Sequence, residues 1–150
     1  MDSALRAQIL ELIQARGTLV LATLRDDGWP QATTVAYANA GLTLYVATGG
    51  DAQKVRNIRR CANVSLTIDG GSPDWAALKG LSMAAHAQVI ESASERQRAA
   101  RLLKKKFPAL ADFGDPEHQS GWALLQIEPR IVSLIDYTKG FGHTVLVHIA

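Results

Sequence analysis

Cysteine is nearly absent. Cys61 is the only one in 150 residues, which excludes a disulfide framework and a cysteine-based zinc cluster. Long apolar runs are missing as well. No stretch approaches the ~18 unbroken apolar residues of a membrane-spanning helix, and the N-terminus lacks the apolar core of a signal peptide. Charge of one sign is not in excess either. A net charge of +2 is too small to argue for nucleic acid by itself. The expectation is a cytoplasmic protein with neither nucleic acid nor membrane as a partner.

Catalytic and nucleotide signatures are also lacking. Gly49-Gly50 invites comparison with a phosphate loop, but Gln53-Lys54-Val55 stands where a Walker loop needs Gly-Lys and a hydroxyl residue. There is no Gly-x-Gly-x-x-Gly, and no Gly-x-Ser-x-Gly elbow to support a serine hydrolase. His143 and His148, five positions apart on a strand, point to opposite faces, and His86 and His118 carry no ligand-like spacing. No metal site is expected.

What is present is ordinary globular composition, 47% hydrophobic and 20% charged, in a chain long enough to bury a core as one domain over residues 1–150. Leu5, Ile9, Leu12 and Ile13 share a helical face over residues 3–16, with Ser3 as cap and Gly17 as stop. Residues 18–24 read as a strand, Asp26-Asp27-Gly28 as a turn, and 31–38 and 42–48 as two strands joined at Asn39-Ala40-Gly41. In the second of these, Leu42, Leu44 and Val46 alternate with Thr43 and Tyr45. A helix over about 51–60, with Asp51 as its N-cap, leads into a strand at 63–68. A longer alternating strand covers 81–90, and Ser92 with Glu95 resembles a capping box opening a helix through Lys106. Arg96, Arg98, Arg101 and Lys104 to Lys106 give that helix a basic, solvated face. Strands at 122–127 and 131–137, turning near Glu128-Pro129-Arg130, precede a strand-like tail at 143–149. Strands joined by tight turns favour antiparallel pairing over a doubly wound parallel sheet. The fold class is therefore mainly β with peripheral helices, a small antiparallel barrel.

One constellation carries chemistry. Lys54 lies in the first turn of its helix, where the macrodipole makes a cation unfavourable by about 0.3–1 kcal/mol. Either water solvates it, or an anion sits between the lysine and the free backbone amides. Thr33, Thr34, Tyr37 and Thr48 cluster on the two strands leading to that helix. Small hydroxyls, a cation and free amides suit a phosphorylated ligand with a planar ring. Such a cofactor would supply the reactive chemistry and leave the protein to bind and orient it.

These residues carry a resemblance. Leu21-Ala22-Thr23, Asp27-Gly28-Trp29-Pro30, and Leu44-Tyr45-Val46-Ala47-Thr48 followed six residues later by Lys54 resemble the pyridoxamine 5'-phosphate oxidase-like FMN-binding split barrels. Arg56-Asn57-Ile58-Arg59-Arg60 and Asn63-Val64-Ser65-Leu66 continue the match. The resemblance implies an antiparallel, Greek-key-like split β-barrel, homodimeric, with FMN in clefts between subunits. It places Thr33, Thr34 and Val35 beside the flavin with Tyr37, Thr48, Gln53 and Lys54 at the cofactor, Lys54 on its phosphate, and Leu81 and Ser82 close by. Tyr137, Lys139, Phe141 and His143 would close the cleft from the second subunit, and His143 is the one candidate for a catalytic group.

Many members carry Ser-Arg-Lys where this chain has Ala52-Gln53-Lys54, and an arginine where Ala32 stands, so Arg56 or Arg60 is expected to take over phosphate contacts. The C-terminal arginine–histidine substrate motif of a true pyridoxamine-phosphate oxidase is missing, and that reaction is not expected. The implied activity is an FMN-dependent oxidoreductase acting with a small-molecule substrate or electron donor. Alternatives are a deazaflavin-dependent reductase, a heme-binding or heme-utilisation protein, suggested by Gly140-Phe141-Gly142, and a flavin-binding protein without turnover.

Overall fold

The computed structural model describes residues 1–149. Helix α1 (Ser3–Ala15) opens the chain, capped by Asp2 rather than Ser3: the Asp2 carboxylate accepts from the amides of Ala4 at 2.7 Å and Leu5 at 3.1 Å. Its apolar stripe buries Ile9 and Ile13 completely, worth about 1.5–3 kcal/mol for each side chain. The strands that follow are β1 (Thr18–Leu24), β2 (Pro30–Ala36), β3 (Ala38–Ala40) and β4 (Thr43–Gly49). Helix α2 (Gln53–Arg60) leads to β5 (Asn63–Asp69) and β6 (Lys79–Val89), and α3 (Ala93–Lys106) to β7 (Trp122–Asp136) and β8 (Thr144–His148). Short 3-10 turns cover Trp75–Ala77, Pro108–Asp112 and Tyr137–Lys139.

The strands form one antiparallel sheet in the order β2-β1-β5-β6-β7-β4-β3, with β8 on the second edge of β7. The sheet curls until β2 and β4 approach each other without pairing. This is the mainly antiparallel split barrel with peripheral helices expected from the sequence. Two local expectations fail. Residues 31–38 and 42–48 do not form a hairpin: β2 pairs only with β1, the ladder breaks at Tyr37, and only the three-residue β3 pairs with β4. Residues 122–137 are not two strands with a turn at Pro129 but one strand of 15 residues.

Pro129 has no N–H to donate, and the ladder to β6 absorbs this with a bulge. Ala85 stands opposite Pro129 and Ala84 opposite Ile131, leaving Arg130 as the extra residue. At that bulge β7 changes partner on its other edge, from β4 over residues 122–127 to β8 over 131–135.

The barrel interior holds Leu21, Leu44, Val46, Leu66, Leu81 and Met83 under α1. A second cluster under α3 packs Ala99, Ala100 and Leu103 on Tyr45 and Leu124. Strand β4 is thus buried on both faces, and Tyr45 is a core residue rather than a member of a polar face. Helix α3 starts as expected, the Ser92 hydroxyl accepting from the amide of Glu95 at 3.3 Å. Its basic face is only partly solvated. Arg96 donates to the carbonyl of Pro116 at 2.8 Å, and Lys104 lies 3.5 Å from Asp115. Lys106 donates to the carbonyl of Arg16 at 2.6 Å, with its ammonium 4.1 Å from the centre of the Tyr37 ring.

Candidate cofactor site

Strand β4 ends at Gly49, and the chain turns sharply. The amide of Gly50 donates to the carbonyl of Gly121 at 2.9 Å, so close that a Cβ on Gly50 would lie 3.4 Å from that oxygen. Helix α2 then begins with Ala52 at the N-cap, and no side chain caps it. Asp51, the expected cap, sits one residue early. Lys54 is the second helical residue, half-buried, and has no ion-pair partner among the described residues. The leading amides of α2 carry partial positive charge and the lysine stands in the same turn, a combination that favours an anion.

The two arginines expected to reinforce the phosphate grip are engaged elsewhere. Arg56 donates to the carbonyl of Asp51 at 2.5 Å and to Gln53 Oε1 at 2.7 Å. Arg60 donates to the carbonyl of Leu24. Their guanidinium groups fasten α2 to its surroundings.

Beneath that first turn lies a group the sequence reading did not single out. Asn57 is 1% exposed. Its Nδ2 donates to Thr23 Oγ1 at 2.9 Å and to Gln31 Oε1 at 3.4 Å, while its Oδ1 accepts from Gln53 Nε2 at 2.8 Å. The available signal is positional. Asn57 sits on the buried helical face with Val55 and Ile58, where a polar side chain persists only if its bonds are satisfied. The network ties α2 to β1 and β2.

The expected site residues fall into separate groups. Thr33 and Val35 are half-buried on the face of β2 that also carries Gln31. Thr48, also half-buried, pairs with Ala123 just before the turn into α2. Thr48, Gln53 and Lys54 follow one another from the end of β4 into α2, Asn57 ties that helix to the Gln31 end of β2, and Val35 packs against the core from the other end. Thr34 and Ser82 point to the opposite, open face of the sheet. They share one row across six strands, Thr34-Val20-Thr67-Ser82-Ser133-Leu146. The next row, Ala32-Ala22-Ser65-Ala84-Ile131-His148, is as small and flat on its β2 to β6 side.

Two expected site residues are corrected. Tyr37 is 0% exposed, and its hydroxyl donates to the carbonyl of Ile13 at the end of α1. Burial pushes its pKa up to about 12, although the Arg16 charge opposes the shift. The Leu81 side chain lies in the barrel core. Strand alternation turns Ser82 outwards and therefore Leu81 inwards. Neither side chain leaves surface for a ligand.

Tyr137, Lys139, Phe141 and His143 occupy the far end of the β6–β7 ribbon. The amide of Tyr137 donates to the carbonyl of Leu78, whereas Ala22, next to Thr23 under α2, lies level with Ser65 and Ala84. Six residues along β6 separate the two places, about 20 Å at 3.3 Å per residue. One chain therefore does not bring this segment to Lys54. Here Phe141, 81% exposed, stacks on Trp75, 72% exposed, with ring centres 5.9 Å apart. Tyr137 tilts against the same ring. Trp75 was not anticipated as part of this group. The Asp136 carboxylate holds the segment in place, accepting from the amide of Thr138 at 3.0 Å. The Thr138 hydroxyl keeps its pKa below the usual carboxylate range. Lys139 and His143 line a small cleft of about 220 Å³ with Asp136 and the start of α1.

Two further features lie near α2 and α3. A cleft of about 720 Å³ beside α2 is lined by Gly50, Asp51, Arg59, Glu91, Arg96 and Trp122, among others. Asp115, Glu117 and His118 bring ligand-type atoms within 4.8 Å of one another. Both nitrogens of His118 already face carboxylates, Asp115 at 2.8 Å and Glu117 at 3.6 Å. The hydrogen bond from His118 lowers Asp115 to a pKa of about 2. The triad clasps the loop after α3.

Among solved structures, General Stress Protein 26 from Bacillus anthracis is similar, with 23% identity over 97% of this chain and 98% of that one and a TM-score of 0.73. The heme storage protein HutZ from Vibrio cholerae matches with 23% identity over 83% and 89% of the two chains and a TM-score of 0.70. A heme-binding protein from Mycobacterium smegmatis matches with 19% identity over 99% of this chain and 58% of that one, at a TM-score of 0.80. At these identities the likeness establishes a shared fold. No curated protein is significantly similar in sequence. The profile of the pyridoxamine 5'-phosphate oxidase family matches residues 5–136, and the chain belongs to that family.

Proposed function

We propose that this protein is an FMN-dependent oxidoreductase that works as a cytoplasmic homodimer of one-domain subunits on a small-molecule substrate or electron donor. The observation that carries the reading is the start of α2, where an uncapped helix and an unpaired lysine meet. The residues fit a phosphorylated cofactor. Lys54 and the leading amides of α2 hold the phosphate, Gln53 stands in the same turn, and Thr48 approaches from β4. Thr33 and Val35 orient the ring from β2. Bound FMN supplies the hydride and single-electron chemistry.

The open sheet face supports the dimer. Its rows of threonine, serine and alanine, with exposed Val20 among them and exposed Leu146 at the edge, are flat enough for a second copy to approach closely. That copy brings Tyr137, Lys139, Phe141 and His143 to the site, which bridges the 20 Å gap within one chain, while Thr34 and Ser82 lie on the joining face. His143 is the group placed to hold a proton at a ring nitrogen. The single free Cys61 suits a reducing compartment.

A second reading is heme binding, favoured by the fold shared with HutZ and the M. smegmatis protein and by His143 in its small cleft. Absorption spectra of freshly purified protein, then of apo-protein titrated with FMN, a deazaflavin and heme, separate these. The flavin reading predicts flavin bands and saturable FMN uptake. A Soret band with no flavin uptake overturns it in favour of heme, and uptake of the deazaflavin alone overturns the choice of FMN.

A further inference from the structure

The hydrogen bonds under α2 have a direction, and one donor-only group fixes it. A guanidinium has no acceptor, so Arg56, 2.7 Å from the Gln53 side chain, must face the oxygen of that carboxamide. The Gln53 nitrogen is thereby turned inwards, where it donates to Asn57 Oδ1 at 2.8 Å. Asn57 is then left with its nitrogen towards β1 and β2, one N–H for Thr23 Oγ1 and the other for Gln31 Oε1. Gln31 must in turn point its oxygen inwards and its Nε2 away from the network. Every link of this network has the same sense.

The Gln31 Nε2 ends the relay with both hydrogens free of partners among the described residues. The side chain is half-buried, on the face of β2 shared with Thr33 and Val35. No buried side-chain polar atom lacks a partner among the described residues, so this nitrogen reaches the surface, where a ligand can meet it. Its position, two residues from Thr33 and joined through Asn57 and Gln53 to the turn that carries Lys54, supplies a reason to keep it. We propose that Gln31 is a cofactor-contacting hydrogen-bond donor, aimed by Arg56 through Gln53 and Asn57 at a carbonyl or phosphoryl oxygen. Asn57 is the positioning residue. The proposal rests on the flavin reading of the site and names a contact that the reading lacks.

The test is the affinity of wild type and variants for FMN and for riboflavin, which lacks the phosphate, measured by quenching of flavin fluorescence. Gln31→Glu keeps the oxygen that Asn57 needs and removes the donor. Gln31→Met removes it without adding charge. Both variants are expected to weaken FMN at least tenfold; Gln31→Glu keeps the wild-type melting temperature, whereas Gln31→Met, which leaves an Asn57 N–H unpaired, lowers it modestly. An equal loss for riboflavin assigns the acceptor to a ring carbonyl. A loss confined to FMN in the Gln31→Met protein assigns it to the phosphoryl group. Unchanged affinity for both flavins in Gln31→Met overturns the assignment while leaving the flavin reading intact. A wild-type protein that binds neither flavin overturns that reading and the contact with it.

Asn57→Asp separates aiming from scaffolding. A carboxylate at this position accepts only, so Gln31 must turn its nitrogen inwards and present oxygen to the ligand. Affinity should fall in an otherwise wild-type background but fall no further when Gln31→Met is already present. Full additivity of the two losses would show that Asn57 acts only as packing.

Discussion

Helices α1 and α2 end their backbones in opposite ways. Both ends of α1 are served by side chains. Asp2 accepts from its leading amides, the Tyr37 hydroxyl donates to the carbonyl of Ile13, and the Lys106 ammonium donates to the carbonyl of Arg16. Helix α2 starts with no side-chain acceptor and a lysine in its first turn. Lys106 and Lys54 are thus two half-buried cations in opposite settings. Lys106 lies at helix C-termini, where carbonyls and an aromatic face welcome it, and Lys54 at an N-terminus, where the dipole repels it. On the proposed reading, the open end of α2 is the complement of an anion.

The contrast can be broken at either helix. At the closed end, Tyr37→Ala empties a fully buried aromatic site and is expected to lower unfolding free energy by about 3–5 kcal/mol, read from urea denaturation. Alkaline pH gives a smaller loss. Burial raises the Tyr37 pKa from 10.0 to about 12, so the unfolded chain loses this proton first as pH rises. The phenol's contribution is complete below pH ~10 and disappears as pH passes ~12, on the order of 2–3 kcal/mol. Burial lowers the Lys106 pKa, an effect of opposite sign, since stability then grows as pH rises through the lowered value. Comparing wild type with Tyr37→Phe isolates the tyrosine, because the variant should lack the alkaline loss from this group. Smaller again is the cap. Asp2→Ala should cost about 0.5–2 kcal/mol, whereas Asp51→Ala, which removes no cap, should stay within about 0.5 kcal/mol. Equal effects at the two aspartates would erase the contrast between the helices.

The sequence carried the barrel and the strand at 18–24 well, since alternation and turn residues specify them locally. It misplaced what depends on distant partners. Pro129 reads as a turn because proline lacks a donor, yet the bulge at Arg130 lets β7 run on. Tyr37 reads as a ligand residue because a tyrosine beside threonines suits a planar ring, but α1 and Lys106 close over it from 24 and 69 positions away. Lys54 was legible because a cation in a helix's first turn is a local conflict. The Gln31–Asn57–Gln53 relay was not, since its direction is set only when two strands and a helix meet. Nor was the distance between Lys54 and the Tyr137–His143 segment, which only the strand register reveals.

The central claim is that the open end of α2 meets a phosphoryl group through Lys54. Its most direct test is the affinity of wild type and Lys54→Ala for FMN and riboflavin under identical conditions. Loss of a charge-assisted contact worth about 1.5–3 kcal/mol predicts about 10- to 100-fold weaker FMN binding, with riboflavin unchanged and the fold intact. Equal affinities of both proteins for FMN, or an equal loss for both ligands, would contradict it.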